Sequence, residues 1–244
     1  MGRLAGRDQP KSVLIWKEFE RLGYDAVTLG EIELRHWDLL PELMEQHPIP
    51  LVCTNLEQLQ DGHWAPLGEK YLIIDADGVK VGVLGVISES LVSAHIVRAT
   101  NEEIRVLPPM EEIDRLVPIL AEQTDVIVVL AHMEAQAFEQ FASLLNGVDV
   151  LLGGHVTRRD EAPLQIADVI VNRSGTRGQA LASTRMIISP HGEVIDFGGR
   201  NAILLPEYPE DPVVLEAIAQ ANRIAMDQRK DEHKARPRGA TTGQ

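Results

Sequence analysis

The chain has 244 residues, room for one α/β domain rather than two ordinary ones, and 44% of them are hydrophobic, which excludes wholesale disorder. Its formal net charge is −14 with no basic patch outside the C-terminal tail, which argues against nucleic acid as a partner. A single cysteine excludes an intrachain disulfide framework and a thiolate metal cluster, and no apolar stretch is long enough to span a bilayer.

The first residues, "MGRLAGRDQPKS", are basic but lack the apolar run of a secretory signal. Taken alone they imply a cytoplasmic protein by default, or an exported one if a signal precedes residue 1. Ser12 is placed to cap a helix over "VLIWKEFERL", which Gly23 can terminate. "DAVTL" then reads as a buried strand. "WDLLPELMEQ" reads as a second helix, with Pro41 tolerated in its first turn. "PLVCTN" is the next strand, and Cys53 within it reads as a small buried hydrophobe. "KYLIID" and "VKVGVLGVI" flank an Asp-Gly turn and form a hairpin.

Residues 88–109 carry no clear period. "MEEIDRLVPILAEQ" predicts a helix that Pro118 must end, kink or start in part. The apolar strands "DVIVVLAH" and "VDVLLGGH" follow, with the helix "EAQAFEQFASLLN" between them. Strands apolar on both faces and separated by helices predict a covered sheet. Four further strands are expected in "ADVIVNRSG", "ALASTRMIIS", "EVIDFGG" and "NAILL", then a closing helix over "DPVVLEAIAQANRIAMDQ" with Asp211 as its cap. The domain is expected to span 1–226, and the polar 227–244 to be a disordered tail or linker.

Three strand ends carry chemistry. "VTLGEIE" offers Glu31, "VLAHME" offers His132 and "LLGGHVT" offers His155. In a covered α/β sheet the ligand site lies beyond the carboxyl ends of the strands, where these three residues fall. Two imidazoles and a carboxylate converging there would suit one divalent ion with open positions. The Gly-Gly before His155 would allow close backbone approach.

In the order of these pieces, from about Gly23 to Asp211, the chain resembles the calcineurin-like metallophosphoesterases, in particular their 5′-nucleotidase branch. "LGYDAVTLGEIEL" is similar to the segment that ends in Gly-Asn-His-Glu in that branch. "PLVCTNL", "VGVLGVIS", "DVIVVLAHME", "VDVLLGGHVT" and "VNRSGTRGQALAS" follow in family order. The resemblance implies a four-layer αββα sandwich and a two-metal site that hydrolyses phosphate esters. It also exposes departures. Glu31 stands for the family asparagine ligand, Ile32 for the histidine that assists the leaving group, and Thr157 for a further histidine ligand. The family's opening strands, with Asp-x-His and Gly-Asp, are not found, so the chain is expected to lack the first strands of the sandwich, as a fragment or through a misplaced start.

One metal would therefore keep the positions of Glu31, His132 and His155, and the other keeps no recognisable ligand. The expectation is at most one divalent ion (Mn, Zn or Fe) and no residue assigned as catalytic. Glu33 reads as capping or supporting the site. Asn55 and Arg158 are candidates for substrate contact, with Asn172 at the border and Arg159 a further anion partner. The functional readings are a phosphoesterase, a non-catalytic metal- or ligand-binding module, and a scaffold. The partners expected are a small phosphate ester or nucleotide, no nucleic acid, no membrane, and a second copy in a homo-oligomer.

Overall fold

The structure, a computed structural model, describes residues 9–37, 39–100, 103–189 and 191–235. Helix α1 (Gln9–Leu22) ends where expected: Gly23 takes a φ of 64° and donates its N–H to Glu20 O at 3.0 Å. The helix already runs at Gln9, so Ser12 lies inside it rather than at its cap. Pro10 fits there because a first-turn residue has no intrahelical N–H bond to lose. The expected strand over "DAVTL" is reduced to one parallel bridge, Val27 with Leu51, and "PLVCTN" likewise bridges only at Leu51 and at Val52 with Glu69. Both segments are extended and buried, but neither sustains a ladder. Between them lie the single turn α2 (Glu31–Leu34) and α3 (Leu40–Gln46), the latter with Pro41 in its first turn.

The hairpin β1 (Leu56–Gln60) and β2 (His63–Pro66) had no counterpart in the sequence reading, because its strands are half-exposed and not apolar in alternation. Asp61 and Gly62 form its turn with φ of 50° and 80°. The hairpin β3 (Leu72–Ala76) and β4 (Val79–Ile87) matches expectation, with Asp77 and Gly78 both left-handed, as a type I′ turn requires. The unassigned stretch resolves into a 3₁₀ turn (Glu89–Leu91), α4 (Ala94–Ala99) and β5 (Ile104–Val106), which completes a small sheet ordered β2-β1-β5.

Helix α5 (Pro109–Ala121) contains Pro118 without being ended by it. Its buried stripe, Ile113, Leu116, Val117 and Leu120, follows helical spacing. Each such side chain contributes roughly 1.5–3 kcal/mol on burial, together more than the roughly 3 kcal/mol an interior proline costs. The chain then alternates: β6 (Val126–His132), α6 (Ala135–Leu144) and β7 (Val150–Gly154). After these come β8 (Leu164–Ile166) and β9 (Val169–Arg173). The main sheet is ordered β3-β4-β6-β7-β9-β8, parallel through its four central strands and antiparallel at both edges. α5 and α6 cover one face of it around Leu84, Val129, Phe138 and Leu151. A second apolar cluster, including Trp16, Leu29, Leu34 and Leu56, ties α1, α2 and α3 to the small sheet.

"EVIDFGG" and "NAILL" are one strand, not two: β11 (Val194–Ile203) pairs along β10 (Ala180–Ile188) as a separate two-stranded sheet. Gly199 sits inside the strand because the backbones approach closely there: a Cβ on it would overlap the Ser183 carbonyl oxygen, whereas one on Gly198 would meet nothing. Finally α7 (Pro212–Ala235) packs on α1. Asp211 accepts from Val213 N–H at 2.8 Å, consistent with its expected cap. The helix passes through 227–235, where Lys, Glu, Arg and Ala favour helix, and residues 236–244 of the expected tail lie outside the described residues.

Candidate metal centre

Parallel strands that end together place their last residues side by side. His132 closes β6, and its register partner on β7 is Gly154, the residue before His155. Glu31 arrives from the other direction, at the start of α2, on the buried segment that follows Val27. Only a glycine lets that segment pass: a Cβ on Gly30 would lie 2.6 Å from His132 Cε1 and 2.9 Å from Nε2. Gly153 is needed for a similar reason, since a Cβ there would sit 2.8 Å from Phe138 Cε2 and 2.9 Å from Arg173 Cγ. The glycines before Glu31 and His155 thus clear space for the site and for the side chains behind it.

The three expected donors converge. Glu31 Oε2 stands 2.5 Å from His132 Nε2 and 3.6 Å from His155 Nδ1, and the two imidazole centroids are 5.0 Å apart. Ligand atoms of all three fall within 4.8 Å of one another. Donors bound to a shared zinc at 2.0–2.2 Å are separated by at most about 4.4 Å, so the widest pair would close slightly and the short Glu31–His132 contact would open to seat an ion. Among the described residues this is the one group of three or more His, Cys, Asp or Glu donors close enough to share an ion.

Electrostatics favour the charged carboxylate. Burial works to raise the Glu31 carboxyl, but the His132 hydrogen bond, the residue's own backbone N–H and the charges of His132 and His155 outweigh it and hold it below its ordinary value. The short Glu31–His132 contact places a proton where a cation would go, so ion binding there would release it. His155 takes a left-handed backbone, φ 62°, a region that disfavours a side chain with a Cβ and is often occupied at functional sites. Two imidazoles and a carboxylate suit zinc, manganese or iron, and the donor set fits such an ion.

Glu134 was not singled out in the sequence. One of its oxygens accepts from Ser90 Oγ at 2.7 Å and the other is buried with no hydrogen-bond partner among the described residues. Burial opposes its ionisation, yet the Ser90 hydroxyl, its own backbone N–H, Ser88 and the charge of His155 hold its carboxyl low. A buried carboxylate oxygen without a donor, electrostatically coupled to His155, supports the fit to a cation. The signal lay in "HME": in extended chain, residues two apart share a face.

The other candidates make contacts within the chain. Glu33 accepts the Gly30 N–H at 2.9 Å and so caps α2. Asn55 is wholly buried and clips backbone: Nδ2 donates to Ile87 O and Leu107 O, both at 2.9 Å, and Oδ1 accepts from Ile87 N–H at 3.0 Å. Arg158 is exposed and turned to the carboxylates of Glu139, at 3.4 Å, and Asp160, at 3.8 Å. Asn172 donates to Thr184 Oγ1 and accepts from Asn201 Nδ2, joining β9 to β10 and β11. It lines a cleft of about 640 Å³ that runs from His132 and Gly154 past Leu130 and Leu152 to Tyr24. Arg159 bridges to Ser174, Thr157 is exposed, and Ile32 presents its side chain to solvent. Two Asp-x-His tripeptides occur, at 61–63 and 231–233, but the first is the turn of the β1–β2 hairpin and the second lies in α7. Neither falls at the end of a strand of the main sheet.

No family model matches the chain. It is 26% identical over 230 residues to a 5′-nucleotidase of Diplobatis ommata, covering 82% of this chain and 38% of that protein. It is 28% identical over 233 residues to a 5′-nucleotidase of Rattus norvegicus, covering 84% of this chain and 39% of that protein. The chain thus spans under two fifths of the length of these curated relatives. Among solved structures, the sulfate thiohydrolase SoxB of Thermus thermophilus superposes with a TM-score of 0.76 at 17% identity, over 89% of this chain and 40% of that one. The calcineurin-like phosphoesterase YfkN of Bacillus subtilis superposes with a TM-score of 0.69 at 20% identity, over 91% and 78%. The chain shares the α/β fold of these solved structures. Its sequence likeness is to 5′-nucleotidases.

Proposed function

We propose that this chain is a metal-dependent, 5′-nucleotidase-like phosphoesterase domain with a degenerate centre that holds at most one divalent ion, and that its ligand is a small phosphate ester or nucleotide. The observation that carries the reading is the convergence of Glu31, His132 and His155 at the carboxyl ends of β6 and β7. A bound ion would supply Lewis-acid polarisation of a phosphoryl oxygen. The chain's own residues do the rest. His132 and His155 present imidazole nitrogens, and Glu31 supplies the anionic charge that helps retain a cation. Gly30 lets the Glu31 segment pass close to His132, and Glu134 adds negative charge that is felt at His155.

A second reading, a non-catalytic metal- or ligand-binding module, is favoured by two positions. Ile32 cannot donate a proton to a leaving group and Thr157 offers no imidazole. Loss of a proton donor alone typically lowers rate about 10²–10⁴-fold. Arg158 as a substrate contact would require it to leave Glu139, and Asn55 to leave its backbone partners, so the metal donors are the stronger part of the proposal.

The test is zinc or manganese titration with a parallel assay on an activated aryl phosphate. The proposal expects measurable binding of one ion, slow or undetectable turnover, and loss of binding in His155→Ala. A variant carrying Glu31→Asn, Ile32→His and Thr157→His separates the readings, since restored rate would mark these positions as the catalytic deficit. Robust turnover by the unmodified chain, lost in His155→Ala, would overturn the degenerate reading and establish a one-metal enzyme.

A further inference from the structure

His155 is half-exposed, its backbone is left-handed, and its ring meets the rest of the site across 3.6 Å to Glu31 and against the neighbouring His132 ring. Something outside the ring must hold it there. The segment that follows is short and anchored at both ends. Val156 is fully buried in the main core, Arg159 bridges to Ser174, and Asp160 donates its N–H to Arg173 O at 3.0 Å. The Asp160 carboxylate then takes a two-pronged contact from Arg173, Nε to Oδ2 and Nη2 to Oδ1, each 2.7 Å.

We propose that the buried Asp160–Arg173 ion pair is a positioning device that holds His155 in its metal-facing conformation, an inference that rests on the metal reading above. The pair is set deep: the Arg173 and Asp160 side chains are 1% and 2% exposed. Its surroundings are built for it. Arg173 Nη1 donates to Glu139 Oε1 on α6 at 3.1 Å, and its guanidinium lies 5.5 Å from the centre of the Phe138 ring. Asn201 Nδ2 donates to Asp160 O at 2.8 Å and to Arg173 O at 3.1 Å, clamping both partners to β11. Gly153, two residues before His155, makes room for the Arg173 stem. Arg158 adds a second, exposed cation at 3.8 Å from Asp160.

Stability by itself does not require such a pair, because well-packed apolar residues of similar volume often serve as well in a buried setting. What an arginine fork adds is fixed direction: two parallel bonds set both the position and the angle of the segment they hold. Asp160 lies on the same short segment as His155. The pair therefore sets where that segment leaves β7, and with it the aim of the imidazole toward Glu31 and His132.

The experiment compares the full chain with the double variant Asp160→Asn/Arg173→Met, which removes both buried charges together, and with Arg173→Lys, which keeps charge but loses the fork. A core variant away from the segment, Leu116→Ala on α5, serves as the control for lost stability. Two readouts are taken: zinc affinity by calorimetry, and the His155 ring resonances of the metal-free protein by NMR. The double variant should weaken zinc binding about 10–100-fold, the range for groups that orient ligands, and should broaden or double the His155 resonances. Arg173→Lys should fall between it and the unmodified chain, and Leu116→Ala should lower thermal stability without moving either readout. Should the double variant fail to fold, Arg173→Lys carries the comparison. Unchanged zinc affinity and a single sharp His155 signal in the charge-free or lysine variant would overturn the positioning role. Absence of zinc binding by the unmodified chain would overturn the metal reading instead, and the His155 resonances would then decide positioning on their own.

Discussion

At His155, chain geometry and site chemistry pull in different directions. Its φ of 62° places a Cβ in the left-handed region, which disfavours non-glycine residues by roughly 1–2 kcal/mol. Glycine is free of that cost but loses more entropy on folding, so His155→Gly should gain up to about 1 kcal/mol of stability. It should at the same time abolish zinc binding. A thermal melt and a zinc titration on the same sample check both, and a variant that binds as tightly as the parent would remove His155 from the ligand set. Cys53 shows the opposite case, a reactive group made inert. Burial pushes its thiol up to about 12 from an ordinary 9.0, against weaker opposing effects of the Leu29 backbone, Lys70 and Thr28. A thiol reagent at neutral pH should therefore label the chain only after unfolding. The raised folded value also fixes a sign: the contribution is fully present below the unfolded value and is lost as pH rises toward the folded one. Urea midpoints should fall between pH 9 and 12 more in the parent than in Cys53→Ala.

At the level of elements, the β10–β11 ribbon gives a paired test of close approach. Nothing lies within 4 Å of a Cβ on Gly198, whereas on Gly199, φ 150°, the same atom would strike backbone of β10. Gly198→Ala should leave the melting temperature nearly unchanged, and Gly199→Ala should lower it by the equivalent of about 1–3 kcal/mol, the usual cost of overpacking. Similar losses from both would contradict the observed register. The ribbon also pairs with no other strand among the described residues, and Leu181, Ile187 and Ile195 are more than half exposed on it. Unpaired edges with apolar side chains invite pairing with another chain. Light scattering should report concentration-dependent association that Ile195→Lys reduces. A parent chain that stays monodisperse at high concentration would count against an edge-driven homo-oligomer.

Over the whole molecule, charge sets the terms of encounter. A net charge of −14 and a sequence pI near 5.0 mean that anions approach against repulsion at neutral pH and that self-repulsion vanishes in mild acid. DNA or RNA should show no binding at physiological salt in an electrophoretic shift, and solubility should pass through a minimum near pH 5. An anionic phosphate ester should bind more tightly as salt rises to the physiological range, because screening weakens the long-range repulsion. Tighter binding at low salt would indicate a local positive field that outweighs the acidic surface.

Periodicity and punctuation in the sequence determined the parallel strands β6 and β7, the helices between and before them, the Asp-Gly hairpin and the end of α1 at Gly23. These are local rules: side-chain alternation, helical spacing, and glycine where φ is positive. The same strand ends marked His132 and His155, since donors at the carboxyl ends of adjacent parallel strands must lie near one another, whereas Glu31 reaches them only through the tertiary placement of α2. What local rules could not reach was decided by partners far apart in the chain. "DAVTL" and "PLVCTN" look like strands, yet whether a ladder forms depends on what lies beside them. Pro118 stays within α5 because packing on the sheet outweighs the lost hydrogen bond. Asn55 and Arg158 carry the right chemistry for a substrate, but the contacts they make with Ile87, Leu107 and Glu139 could be seen only in the fold. The Asp160–Arg173 pair was illegible for the same reason. An aspartate and an arginine thirteen residues apart say nothing by themselves, and only the fold removes both from water and leaves each as the other's partner.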